Sequence, residues 1–560
     1  MTSAMPRAWR LVIAGLFAFI VLAQGISAPF QKDAEPQSAE WVQSIVRDGH
    51  WLIPHDAYGY TDRKPPLFYW LSATVAKLSG GTVDEVRARA VSLVAGTALA
   101  VCVLAWTAAN VGTVDGWLAF IFVLGTYGFA SRATEALTDM LLTLLLFAAY
   151  CAIYPVLEAP APESRGWPHR TILVGAILGL GVLTKGPVAI VLCTLSALLY
   201  LMMMRRSPLP LMREPWPWQL LAIAIAFGAI WYLPAMTIGG QKILRIIFDE
   251  NFGHFMPTRL GGTGESYRPF YFIAARLLGG AFPMTLLVPP ALLALATDEF
   301  APEKRRAIIY QASMPLAVLL FFSIASVKRD DYILPALPGL AILCASAFTL
   351  NVRGAGSKLR DVIAVLFPIG CAIAFWIAAI VAIFHVPAVP QVQLQSSDAA
   401  FYAIFLHGLR ALGLPFDICG IALVAAALLA IRGFRRNDAL KIGIAFGLAG
   451  LSLSLLWTSS LRPDLAEARS VKSFVPTVAE HVKGNQLCIP TGINYELSYY
   501  YDAAVPDLKS PRCDYLFATP RELDAMTPEY RTRLKLVAKS NLIGGGGPPA
   551  LYEISPEAAR

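Results

Sequence analysis

Long apolar stretches recur about thirteen times before residue 461, over roughly 10–29, 86–108, 113–131, 138–157, 171–184, 187–204, 217–237, 271–297, 307–326, 332–350, 361–385, 412–431 and 442–460. A helix needs roughly 20 mostly apolar residues to cross the hydrocarbon core. In lipid the backbone must also satisfy its own hydrogen bonds. The recurrence therefore predicts an all-α polytopic membrane protein. The stretch 66–80 is apolar but short, so it enters the membrane only in part. With 56% hydrophobic and 15% charged residues, a soluble globular chain is excluded. The net charge of +8 is no nucleic-acid signature, because the basic residues sit in short connections between apolar stretches. Arg7, Arg10 and the apolar run that follows imitate a signal peptide. Ahead of so many later spans, they read as an uncleaved first helix.

Charge in the connections predicts the orientation. With the amino terminus cytoplasmic, Arg7, Arg10 and the inside connections hold seventeen Lys and Arg residues, from Arg165 to Lys441. The short outside connections hold five: Arg132, Lys185, Lys328, Arg329 and Arg410. That asymmetry is the positive-inside pattern. The first loop, residues 31–66, the loop 238–270 and everything after 461 then face the periplasm.

The tail 462–560 reads as a separate small α/β domain. Short β-type runs replace the long apolar ones at Gln486–Ile489, Tyr499–Tyr501, Tyr515–Ala518, Leu534–Ala538 and Ala550–Ile554. Val471–Val482 and Arg521–Leu534 suit helices. Of eight cysteines, Cys488 and Cys513 lie in the tail, where an oxidising compartment permits a disulfide and two free thiols are the alternative.

Chemistry concentrates in the outside loops. Asp33 and Glu35 follow directly on the first span. Carboxylates there can deprotonate an acceptor or orient a donor; they also suit the start of a helix ahead of Pro36. Asp139 opens the fourth span, either as a functional acid or as a negative charge favoured at a helix N-terminus. Arg63 and Lys64, Lys185, and Lys328 with Arg329 lie on the side that normally carries few cations. Each alone is explained by snorkelling to headgroups. Clustered in space they form a site for a phosphate or diphosphate leaving group. His254 and Arg268 in the long loop can contact an anionic substrate, although a lone loop histidine is more often structural. No Cys or His cluster has metal-ligand spacing, and no glycine-rich nucleotide loop stands out. A divalent metal on the phosphate stays open.

Together these motifs resemble a family. Asp33-Ala-Glu35, Lys64-Pro65-Pro66, Thr184-Lys185-Gly186 and Lys328-Arg-Asp-Asp-Tyr332-Ile-Leu-Pro335 are similar to motifs of the bacterial GT-C glycosyltransferases. The branch they resemble contains the lipid A aminoarabinose transferase and is related to the protein O-mannosyltransferases. The resemblance covers roughly residues 10–350. It implies a polyprenyl-phosphate sugar as donor and transfer on the periplasmic face of a bacterial inner membrane, to a glycolipid such as lipid A or to a protein. It implies catalytic carboxylates at Asp33, Glu35 and Asp139. Lys64 would bind the donor phosphate, and Lys328 and Tyr332 would belong to the lipid-phosphate pocket. Four departures fall where sugar and acceptor are recognised. Ala34 splits the acidic pair, Arg63 stands where an acid is common, and a family tyrosine falls near Tyr60 or Thr61. In the long loop His254 takes the place of an arginine.

A lipid-linked sugar flippase is the rival of a different class. Transporters place charged sites near the bilayer midplane and often carry internal repeats. Here the charges gather at one face and no repeat is visible.

Overall fold

Helices occupy each of the apolar stretches. The computed structural model describes residues 6–30, 34–61, 64–158, 168–253, 268–296, 300–349, 355–384, 405, 408–409, 413–543 and 546–555. Among these, eight helices are long and apolar enough to cross a membrane, or nine if the bent pair Phe272–Gly280 and Met284–Ala296 forms one span. That is fewer than the thirteen stretches of the sequence, and chain breaks and length account for much of the difference. The stretch 113–131 divides into Thr113–Leu124 and Tyr127–Arg132 at Gly125. A Cβ on Gly125 would lie 2.8 Å from the Leu451 nitrogen, so the bare backbone permits this close crossing. Arg7–Leu22 and Val188–Met203 are 16 residues each, about 24 Å long, and reach across a bilayer only with their flanks. Leu67–Leu78, at 12 residues, is about 18 Å long and too short to span.

The first loop folds onto the outer ends of these helices. Ala34–Asp48 is an amphipathic helix that buries Trp41, Val42 and Ile45 against Phe68 and Tyr69 of the Leu67–Leu78 helix. A tight turn follows, in which Asp56 accepts hydrogen bonds from the Tyr58 and Tyr60 nitrogens.

The tail carries a four-stranded sheet in the order β1 (Leu487–Cys488), β2 (Tyr515–Ala518), β4 (Ala550–Ile554), β3 (Leu534–Lys539). β1 and β2 are parallel and the other pairs antiparallel, with a register irregularity between Leu536 and Ala538. Val475–Val482 packs Val478 and Val482 on the sheet core of Leu487, Phe517 and Leu551. Cys488 and Cys513 are joined as a disulfide with Cα atoms 5.8 Å apart. The other six cysteines are free and lie in helices.

Two expectations are overturned. Residues 238–248, read as the start of the long outside loop, continue the helix Pro215–Phe248 past a break at Gly240. Tyr499–Tyr501, in turn, lies not in a strand but in the helix Tyr495–Tyr501. Asn494 caps it by accepting from the Leu497 nitrogen; Tyr499 packs on Phe30 and Ala39, while Tyr500 and Tyr501 lie against the helix-and-sheet core of the tail. The cap and the tertiary contact override the β preference of three tyrosines.

Candidate active site

An antiparallel helical hairpin builds the centre of the site. Asp139 is the first residue of the helix Asp139–Glu158, and Lys185 is the last of the next helix, Pro168–Lys185. Helices of 20 and 18 residues run about 30 and 27 Å, so the start of one meets the end of the other. Each charge also sits at the helix end that favours its sign. Gly186 stops the second helix in a left-handed conformation, φ +84°, and Pro187 follows.

A third element completes the cluster. The short helix Asp330–Ala336 presents Asp331 and Tyr332. Lys185 Nζ bridges Asp139 and Asp331, 3.3 Å from the latter. Arg329 Nε lies 3.4 Å from the other Asp331 oxygen. The Lys185 ammonium also stands 5.0 Å from the Tyr332 ring centre, and Tyr332 stacks on Phe322 at 4.3 Å. Lys64 is half-buried within electrostatic reach of Asp139. It makes no hydrogen bond or ion pair with a described residue.

Beside this cluster lies a cavity of about 310 Å³, walled on one side by Leu142, Val188, Val191, Leu192, Phe321 and Phe322. At its polar end stand Asp139, Lys185, Asp331, Tyr332 and Glu250. An apolar slot ending in one fixed cation, Lys185, among the carboxylates of Asp139, Asp331 and Glu250 suits an amphiphile with a polar head.

Glu35 has a different setting. Buried on the Ala34–Asp48 helix, it forms a bidentate pair with Arg89, at 2.9 and 3.0 Å, and accepts from the Ala136 nitrogen at 2.9 Å. Arg89 in turn donates to the carbonyls of Ile26, Ala28 and Pro29. Burial alone raises the Glu35 carboxyl, but the Arg89 guanidinium outweighs it and holds the acid below its usual range. The pair ties the end of the first span to three other segments.

The remaining candidates are spread out. Lys328 is buried and donates to the Arg268 carbonyl at 3.0 Å and to the Ala325 carbonyl. The Arg268 guanidinium instead lies 5.4 Å from the Phe272 ring centre. Tyr60 turns its side chain outward while its carbonyl accepts from Trp41 Nε1. Asp33, Arg63 and His254 lie outside the described residues. No three His, Cys, Asp or Glu converge as metal ligands among the described residues. The sequence reading passed over Asp331, Arg89 and Arg462. Asp331 could have been found as an acid inside a basic motif. Arg462 donates to the Ser131 and Thr134 carbonyls, a pairing without local signal.

Residues 63–232 match the family of dolichyl-phosphate-mannose-protein mannosyltransferases. An undecaprenyl phosphate-α-4-amino-4-deoxy-L-arabinose arabinosyl transferase from Enterobacter sp. (strain 638) is 29% identical over 348 residues, covering 60% of this chain and 58% of that protein. Its counterpart from Serratia proteamaculans is 26% identical over 366 residues, covering 65% and 63%. The chain thus spans about three-fifths of the length of the relatives it matches. In structure it is similar to ArnT from Cupriavidus metallidurans bound to undecaprenyl phosphate, with a TM-score of 0.70, 17% identity and 98% of both chains covered. The apo form of that protein gives 0.67 at 18% identity over 97% of each chain. The resemblance carried by the Lys-Pro-Pro, Thr-Lys-Gly and Lys-x-x-x-Tyr motifs is borne out: this chain has the GT-C fold and resembles, in sequence, the aminoarabinose-transferase branch and its O-mannosyltransferase relations.

Proposed function

We propose that the chain transfers a sugar from a polyprenyl-phosphate donor to a glycolipid of the lipid A type at the periplasmic face of the inner membrane. The observation that carries this is the apolar cavity ending at Lys185, Asp139, Asp331 and Tyr332. The prenyl chain occupies the aliphatic slot and its phosphate meets the cations. A related protein of the same fold binds undecaprenyl phosphate, and two relatives in sequence are named for transfer from such a donor.

In this reading the sugar's anomeric carbon is attacked by the acceptor and polyprenyl phosphate departs. Lys64, Lys185 and Arg329 stabilise the charge that grows on the leaving phosphate. Asp139 and Asp331 hold the Lys185 ammonium in place. Asp33 orients the donor or activates the acceptor. Glu35, with both oxygens engaged, holds the loop that carries Asp33. The amino terminus is cytoplasmic, and residues 462–560 form a periplasmic domain packed over the first loop.

The test is transfer in reconstituted membranes from a polyprenyl-phosphate sugar, with wild type, Asp33→Ala and Lys64→Ala compared by mass spectrometry. A sugar-sized mass gain on the glycolipid, lost in both variants, supports the reading. Gain on a peptide instead moves the acceptor to protein. Labelled lipid crossing the bilayer with no transfer to anything overturns the enzyme in favour of a flippase.

A further inference from the structure

A second cavity, of about 290 Å³, shares Asp331 with the first. Its wall includes Ser131, Arg132, Glu135, Arg276 and Asp330, a far more polar set than the aliphatic slot. Two arginines face this one space with most of their donors unspent. Arg132 has a side chain only 16% exposed, yet among the described residues it donates through Nη1 alone, to Glu135. A guanidinium carries five N–H groups, and no Arg132 nitrogen is both buried and unpaired, so the donors not spent on Glu135 stay accessible to a ligand in the cavity. Arg276 places Nε 3.1 Å from Asp330 and lies 5.0 Å from the Phe272 ring centre, and neither terminal NH₂ group has a hydrogen bond among the described residues. Its ion pair with Asp330 is about half exposed on both sides, and such pairs exchange readily.

The local charge also admits an anion. Glu135, Asp139, Asp330 and Asp331 are surrounded by Arg132, Lys185, Arg276, Arg329 and Arg462. The mouth lies among exposed apolar side chains. Tyr127 lines it, and Phe270, Tyr271, Leu278 and Phe282 are exposed on or beside the bent helix pair that carries Arg276. Aromatic and aliphatic exposure of this kind marks the membrane–water boundary.

We propose that this cavity receives the phosphorylated sugar headgroup of the acceptor glycolipid, with Arg132 and Arg276 on its phosphate. The inference rests on the transferase reading above. It gives each substrate its own chamber: the prenyl donor enters the aliphatic slot, the acceptor enters from the bilayer boundary, and they meet at Asp331. An acceptor phosphate oxygen forms a bond to the anomeric carbon. The bond from that carbon to the donor phosphate oxygen breaks, and its electron pair leaves with polyprenyl phosphate. A phosphate dianion is consumed and another is released, so no proton has to move.

Initial rates in proteoliposomes, with donor and acceptor varied separately, test this. Arg276→Ala is expected to raise the acceptor KM roughly 10- to 100-fold, the loss of one charge-assisted contact, with the donor KM nearly unchanged and Arg276→Lys in between. Arg132→Lys keeps the charge in a buried position, loses the fork and should move the same constant. An unchanged acceptor KM in both, or an equal rise in the donor KM, overturns the inference while transfer itself continues. Equal use of a dephosphorylated glycolipid by wild type overturns it too. Failure of wild type to transfer to any acceptor overturns the transferase reading first.

Discussion

The Tyr500 hydroxyl accepts a hydrogen bond from the Phe30 backbone N–H at 2.9 Å, joining residues 470 positions apart. The same hydroxyl donates to Glu85 at 2.8 Å, and Lys472 reaches that carboxylate at 2.7 Å. Around it, Tyr499 donates to the Val83 carbonyl and Tyr58 to the Val505 carbonyl. The tail thus grips the chain at Phe30, just before Asp33, as well as at Val83, Glu85 and Tyr58, so the last hundred residues pack beside the segment to which the proposed chemistry is assigned.

Tyr500→Phe removes both hydrogen bonds and leaves the Phe30 N–H buried without that partner. A cost of about 1–2 kcal/mol is expected. Hydrogen exchange should quicken over residues 28–40, and transfer should slow several-fold with the donor KM little changed. Unaltered exchange and turnover together would show that the tail merely rests on the loop.

Glu40 gives the same interface a pH dependence. It is buried between the Ala34–Asp48 helix and the Tyr495–Tyr501 helix, accepting from Ser498 Oγ and from the Ala57 nitrogen. Burial, opposed by those two hydrogen bonds and aided by the neighbouring Asp56 and Asp502, pushes its carboxyl up to about 7. Arg47 faces Asp502, and His55 and Asp48 line the adjoining cavity. A folded pKa above the unfolded value means that the folded state holds the extra proton. Stability is therefore greatest below about pH 4.5 as far as this group decides it, and falls as pH rises toward 7, by on the order of 3 kcal/mol. Thermal unfolding between pH 5 and 8 should show this decline in wild type and a flatter profile in Glu40→Gln. Parallel profiles would remove Glu40 as the cause.

How much of this was legible depends on whether a residue's partner is local. The apolar stretches marked the helices because each carries its own length and hydrophobicity. Lys185 and Asp139 could be singled out because cations and acids are conspicuous at the ends of apolar runs. Glu40, by contrast, reads as part of a solvated helix face. Only the tail, more than 450 residues later, covers it. Arg89 follows the helix start at Asp84 and looks like a snorkelling residue, yet its guanidinium is buried against Glu35. Tyr499–Tyr501 misled for the same reason, since three aromatic residues suit a strand until a cap and a docking surface turn them into a helix.

The pair formed by Glu35 and Arg89 separates holding from reacting. Arg89→Met leaves a buried carboxylate uncompensated and should cost about 3–5 kcal/mol, seen as a large loss of folded protein after extraction. Adding Glu35→Gln should recover part of it, giving a coupling of about 1–3 kcal/mol in a double-mutant cycle. Purified Glu35→Gln should still transfer sugar within about tenfold of wild type. A far greater loss in a stably folded Glu35→Gln protein would return Glu35 to the reaction itself.

Lys64 and Lys185 are both assigned to the leaving phosphate, but their settings differ. Lys185 neutralises Asp139 and Asp331 together, so Lys185→Met brings two buried carboxylates face to face. That substitution should lower the thermal midpoint as well as the rate. Lys64 has no ion pair with a described residue to lose, so Lys64→Met should leave the midpoint almost unmoved. Its effect should fall on turnover, by about 100-fold, equivalent to ~3 kcal/mol of transition-state stabilisation. Calorimetry and initial rates on the two variants distinguish these outcomes. Equal thermal losses in both would mean that Lys64 supports the fold, and the phosphate contact would then rest on Lys185 and Arg329.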